Sequence, residues 1–279
     1  MKHGLFFPAR RSRRALAAAL AALVLAAVQN PLSANDDPAI QIRLPGEVDW
    51  QPLNPARGDA SPRAGTLWGD RNDTVPTGFL ARFAEGFSSP PHIHNVTYRA
   101  IVIEGAIHND DPGAASQWMG PGSFWIQPAG ETHITAAQAP ANLALVEIDH
   151  GPYLVRSPEQ AFDDAQRPLN VDRSNLVWSS LGGEAEIARL WGDFTSPGHR
   201  GALLRLPAGS RGSLLGEEGL HGVVIQGSLV HAARPEASLT PGSYLGSRDR
   251  ATHALTVGAS AEALIYLRSD GPFHWQSAL

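Results

Sequence analysis

The sequence predicts an all-β protein built from one unit written twice. Three observations carry that expectation. The 279 residues hold 28 glycines and 22 prolines, spread as turn punctuation between short apolar runs, and helix-period patterns are scarce after the N-terminus. A series of short segments recurs in order at an offset that drifts only from 123 to 120 residues. Each copy is roughly 100 residues of short strand-like runs, a size and texture that suit a small barrel or double-sheet jelly roll.

The first element stands apart from this pattern. Lys2, Arg10, Arg11, Arg13 and Arg14 make a basic start, and Ala15 to Val28 is an uncharged run of Ala, Leu and Val. The run is too short to span a bilayer comfortably. With Leu32-Ser33-Ala34 as a cleavage site, residues 1–34 read as a secretory signal peptide that takes no part in the fold. Ser12-Arg13-Arg14-Ala15-Leu16 also resembles a twin-arginine export signal. Removing these residues takes away five of the 22 basic groups and none of the 27 acidic ones. The acidic remainder makes nucleic acid or an anionic membrane surface an unfavourable partner. The chain has no cysteine, so no disulfide staples an exported domain and a metal site would rest on histidine and carboxylate.

The repeat opens with Leu67-Trp68-Gly69-Asp70, matched by Leu190-Trp191-Gly192-Asp193. A strand follows in each copy, Gly78-Phe79-Leu80-Ala81-Arg82-Phe83 and Gly201-Ala202-Leu203-Leu204-Arg205-Leu206. Ile101 to Gly105 matches Val223 to Gly227, and Pro121-Gly122-Ser123-Phe124 matches Pro241-Gly242-Ser243-Tyr244. Thr132-His133 matches Thr252-His253, and Gly151-Pro152-Tyr153 matches Gly271-Pro272-Phe273. Trp50 and Trp178 suggest a further strand ahead of each unit. The predicted organisation is an N-terminal domain over 35–155 with a loose arm at 35–45, a linker over 156–175, and a C-terminal domain over 176–279.

Chemistry concentrates in the first unit. His92 and His94 stand two apart, and His133 follows a run of Gly and Pro that would turn a strand back toward them. Residues i and i+2 of a strand face the same side, roughly 6.6 Å apart. Two such imidazoles and a third from another strand can share one ion.

With both motifs in view the chain resembles the cupin superfamily. His92, His94 and Gly105 fall in register with its first motif. Gly122, Pro128, Gly130 and His133 match its second motif without a gap. The duplication resembles a bicupin of a largely uncharacterised bacterial group, and the likeness covers nearly all of 48–275. It implies two tandem jelly-roll (double-stranded β-helix) barrels, with a metal inside the first. The chain departs from the motif at its Glu position, which is Tyr98. Three neutral imidazoles would leave the full charge on the ion and favour an anionic or enolisable substrate that chelates through two oxygens. Some cupin dioxygenases resemble this three-histidine arrangement, which implies Fe(II), with Mn, Ni or Zn as other occupants. A zinc ion would instead activate water for hydrolysis. In the second unit, Leu214, Leu215 and Gly216 stand where His92 to His94 lie and only His253 keeps a ligand position, so that half reads as degenerate and structural.

Around the ligands, Tyr98 and Glu131 are the expected managers of protons. Tyr98 shares the parity of His92 and His94. Glu131 lies two residues before His133 and could orient its imidazole. Phe83, Trp125 and Gln127 are candidate lining residues. Arg82 recurs as Arg205, and His108 as His231, which argues for structural roles. Function is then expected among three classes: a dioxygenase acting on a diketone or hydroxylated aromatic, a non-enzymatic binding protein for a small molecule or metal, and a metal-assisted hydrolase or isomerase. A small-molecule substrate, a possible homodimer and a periplasmic or secreted location complete the expectation.

Overall fold

The computed structural model describes residues 40–278. The expected signal peptide lies outside the described residues. The described chain is almost entirely β, with four short 3-10 turns, and none of its helices is long and apolar enough to cross a membrane.

The first half builds a seven-stranded sheet. In spatial order its strands are Leu169–Val171, Phe124–Gln127, Tyr98–Glu104, Asn142–Ile148, Thr77–Phe83, Arg63–Trp68 and Trp50–Pro52. Two small sheets complete this half. One pairs Ile93–His94 with Val155–Arg156, and the other pairs Ile107–Asp110 with Ile134–Ala137. The second half repeats the order with Gln41–Arg43, Tyr244–Ser247, Leu220–Gln226, Ala263–Ser269, Arg200–Leu206, Ala185–Trp191 and Trp178–Gly182. Its smaller sheet has four strands, Leu229–His231, Ala251–Val257, Arg211–Gly216 and Phe273–Ser277.

Both large sheets begin with a strand lent by the other half. Gln41–Arg43 precedes the first unit yet pairs with Tyr244–Ser247 of the second, with Arg43 opposite Tyr244. Leu169–Val171 precedes the second unit yet pairs with Phe124–Gln127 of the first, with Val171 opposite Phe124. Each lent strand leads into a 3-10 turn, Pro45–Glu47 or Arg173–Asn175. The exchange is reciprocal. It corrects the expectation of a loose arm at 35–45 for Gln41–Arg43, and it puts a strand, Leu169–Val171, inside the segment expected as a linker over 156–175. Both sheets offered an unpaired edge, and an edge strand's bare N–H and C=O groups recruit whatever extended chain lies nearest.

The inner strands of the large sheets, such as Thr77–Phe83, Asn142–Ile148, Arg200–Leu206 and Ala263–Ser269, are buried on both faces, which is why they read as near-continuous apolar runs. Along Tyr98–Glu104, the side chains of Tyr98, Ala100 and Val102 join a core within the first half, while Ile101 and Ile103 join a core shared with Leu203, Val223, Ile225 and Tyr266 of the second. A third core, including Leu204, Leu214, Val224 and Leu255, belongs to the second half.

The Trp-Gly-Asp repeat has a structural cause. Trp68 lies over Gly78 of the neighbouring strand and stacks on His221 of the other half, with ring centroids 4.6 Å apart. Trp191 lies over Gly201 and carries the Arg99 guanidinium 3.9 Å above its ring. The glycine next in line turns the chain at positive φ, 72° at Gly69 and 80° at Gly192. The aspartate then accepts a backbone N–H two residues on, from Asn72 or Thr195, as short polar turn residues do. Arg82 and Arg205 also keep one job in both halves, each lying over a tryptophan ring (Trp50 at 4.1 Å, Trp178 at 4.3 Å).

Candidate metal centre

The site starts from a backbone pairing. His92 and His133 exchange both main-chain hydrogen bonds at 3.0 Å, so their side chains leave the same face of the small ladder. His94, two residues on, adds a third ring on that face. Gly130 makes the approach possible. It sits at a φ of 78° and donates to the His94 carbonyl at 2.8 Å, and a Cβ there would strike Phe162. The ring centroids lie 4.3 Å (His92–His133), 5.0 Å (His92–His94) and 5.3 Å (His94–His133) apart. One nitrogen from each lies within 4.8 Å of the others.

The orientation of the rings suits an ion. Each Nδ1 meets a backbone carbonyl: His92 that of Pro90 at 2.9 Å, His94 that of Leu154 at 3.1 Å, His133 that of Glu131 at 3.1 Å. A carbonyl only accepts, so Nδ1 carries the hydrogen and Nε2 presents a lone pair inward. Burial lowers the pKa of all three, to about 3 for His133 and well below the ordinary value for His94. The rings are therefore neutral, the form that ligates.

Tyr98 fills the place of the missing glutamate. Its hydroxyl donates to Asn109 Oδ1 at 2.9 Å and lies 3.4 Å from His133 Nε2. With its hydrogen committed to Asn109, its oxygen and the imidazole nitrogen face each other as two electron-pair donors. That arrangement is relieved by a cation, and it makes the donor set fit a divalent ion. Burial raises the phenol's pKa, so it is held protonated. Asn109 also accepts from Thr135 Oγ1 at 2.7 Å and donates to Gln127 Oε1 at 2.9 Å. Gln127 Nε2 in turn donates to the Glu131 carbonyl that orients His133.

Glu131 therefore meets the site through its backbone. Its carboxylate lies 3.5 Å from Arg167 and does not line the cavity. The short turn between Gly130 and His133 aims the side chain at the linker segment, so the expected proton role of the carboxylate has no geometric footing.

Three residues of the site escaped the sequence reading. Tyr153 stacks on His94 with centroids 4.3 Å apart and places its hydroxyl 3.1 Å from Nε2. Asn109 anchors Tyr98, and Arg57 stands on the cavity wall. A signal existed for the first two. The second unit has Phe273 opposite Tyr153 and Ala232 opposite Asn109, so both polar groups vanish together with the histidines. In that unit Leu214 pairs with His253 as His92 pairs with His133, and Leu214 is fully buried. His253 instead sits 3.1 Å from His231 and 3.2 Å from Ser247.

His92 and His94, with Tyr98 and Tyr153 beside them, line a cavity of about 110 Å³. Its walls are apolar and aromatic, with Leu53, Phe79, Phe83, Phe87, Trp125 and Val146 among them, and no acidic residue among the described lining.

Fold and site together define a cupin-fold protein with a three-histidine group able to hold a metal. Solved structures bear out the fold. A candidate dioxygenase of Nostoc punctiforme is 15% identical, with 86% of this chain and 87% of that chain covered at a TM-score of 0.65. An oxalate decarboxylase of Lactobacillus farciminis is 10% identical, covering 85% and 88% at a TM-score of 0.55. Vicilin of hazelnut, Corylus avellana, is 10% identical, covering 85% and 87% at 0.54. The chain belongs to the family described as a domain of unknown function, DUF4437, whose model matches residues 41–276. A comparison with curated proteins finds no match. Likeness at such low identity concerns the fold alone, and the chemistry has to be argued from the site.

Proposed function

We propose that this chain is a metal-dependent oxidoreductase of the three-histidine dioxygenase type, acting on a small diketone or hydroxylated aromatic that chelates through two oxygens. The observation that carries this reading is the convergence of three neutral imidazoles, each locked by a carbonyl, beside a cavity that His92 and His94 line and whose described lining has no carboxylate. When bound there, Fe(II) would supply electrons to O2 and Lewis acidity toward the substrate's oxygens.

The protein's own groups do the rest. His92, His94 and His133 would hold the ion, and His92 and His94 reach the cavity where substrate would bind. The aromatic walls exclude water and set the substrate's plane. Burial keeps both phenols, Tyr98 and Tyr153, protonated. Tyr153 acts as a hydrogen-bond donor beside the reacting oxygens, while Tyr98, whose hydrogen is held by Asn109, presents its oxygen to the ion's side of the site. The lack of a nearby carboxylate base favours this reading over metal-assisted hydrolysis. We also read the chain as two tandem cupin units, the first metal-binding and the second structural, exported to the periplasm or beyond by the basic and apolar N-terminus.

The test is metal content and oxygen uptake measured together. Wild type loaded with Fe(II) should retain one ion per chain and consume O2 with a simple diketone or catechol. The double variant His92→Ala, His133→Ala should lose both. Equal metal in the two proteins would remove the site. Retained metal and tight ligand binding without oxygen uptake would make it a binding protein.

A further inference from the structure

The cavity wall carries one arginine, Arg57, and the proposed reaction has not used it. Arg57 sits in the 3-10 turn Pro55–Ala60, held by hydrogen bonds from Arg57 N to Asn54 O at 3.0 Å and from Ser61 N to Gly58 O at 3.1 Å. Its side chain is half-buried and lies over the Phe87 ring, with Cζ 5.5 Å from the centroid. Phe87 lines the same cavity. Arg99, Arg173, Arg205 and Arg234 each meet a carboxylate. Among the described residues no carboxylate pairs with Arg57.

A half-buried guanidinium against an apolar wall is weakly screened, and its planar fork matches a carboxylate. The cavity lining that Arg57 shares with His92 and His94 is mostly hydrocarbon and aromatic. We infer that Arg57 anchors a carboxylate of the substrate, which is therefore a small aromatic acid with chelating oxygens at one end and the anionic group at the other. The inference rests on the metal-chelation reading given above and narrows its substrate class. Arg57 touches the substrate without touching the ion, so it sets specificity and leaves metal uptake alone.

The experiment uses the full Fe(II)-loaded chain without oxygen, titrated with catechol, 3,4-dihydroxybenzoate and 3,4-dihydroxybenzamide. Wild type should bind the acid about tenfold or more tightly than the nearly isosteric amide, the worth of a charge-assisted pair. Arg57→Gln should bring acid and amide to equal affinity, with catechol binding and metal content unchanged. Arg57→Lys should keep part of the preference. Equal binding of acid and amide by wild type overturns the inference whatever the variants do, as does a preference that survives Arg57→Gln. Where catechol binds and the acid gains nothing, the role of Arg57 alone is refuted. Where no diol binds protein that holds its metal, chelation itself is refuted and the anchor falls with it.

Discussion

Asn109 holds more of the site together than any ligand does, because three side chains depend on its one amide. Tyr98 and Thr135 donate to its oxygen, and its nitrogen reaches Gln127. Asn109→Ala should strand these buried groups and destabilise the fold by about 1–3 kcal/mol, read from urea unfolding. The same variant should weaken metal retention by freeing Tyr98. A second residue-scale expectation concerns protons away from the metal site. Burial lowers His221 and His253 from 6.5 to about 4. Their neutral forms belong to the fold, while the unfolded chain takes up protons below about 6.5. Stability is therefore complete above that pH and falls as pH drops from 6.5 to 4, by up to about 1.4 kcal/mol per pH unit for each group. Unfolding midpoints across that window should show the slope, and His221→Gln should reduce it by the share of one group. At this scale the histidines were legible because their spacing is a covalent fact. Arg57 was not, and Tyr153 and Asn109 showed only as polar residues that the second unit lacks, because each arrives from a segment whose place only the folded sheets fix.

Among the elements, the tightest constraint is the tryptophan seated on a glycine. A Cβ at Gly78 would fall inside the Trp68 ring, and one at Gly201 inside that of Trp191. Gly78→Ala and Gly201→Ala should each cost about 1–3 kcal/mol through overpacking, measured by chemical denaturation, and both should redden tryptophan emission as the rings are displaced toward water. The long strands could be read from their apolar runs and from the repeat. The lent strands Gln41–Arg43 and Leu169–Val171 could not. Three residues carry too little pattern, and their pairing depends on an edge supplied by a distant part of the chain.

For the molecule as a whole, the two halves share a core and a buried charge cluster. Arg268 and Glu147 are each 1% exposed at the side chain, 3.7 Å apart. Arg99 reaches Glu147 at 3.8 Å and Asp149 at 2.9 Å, and Arg268 reaches Asp149 at 2.8 Å. Arg268→Met should cost about 3–5 kcal/mol, because it leaves the buried Glu147 with Arg99 as its one cationic partner. Adding Glu147→Leu should recover part of that loss, with both values read from the same denaturation series. Because Leu80, Ile101 and Leu145 pack with Leu203, Val223 and Leu264, circular dichroism and tryptophan fluorescence should report a single coincident transition.

The crossed edge strands have a consequence for how the protein is made. Synthesis runs from the N-terminus, so Gln41–Arg43 emerges long before Tyr244–Ser247, the strand that seats it. This early strand is then among the last to find its place. Maturation ends with a clasp, in which the opening segment closes over the half that was translated last.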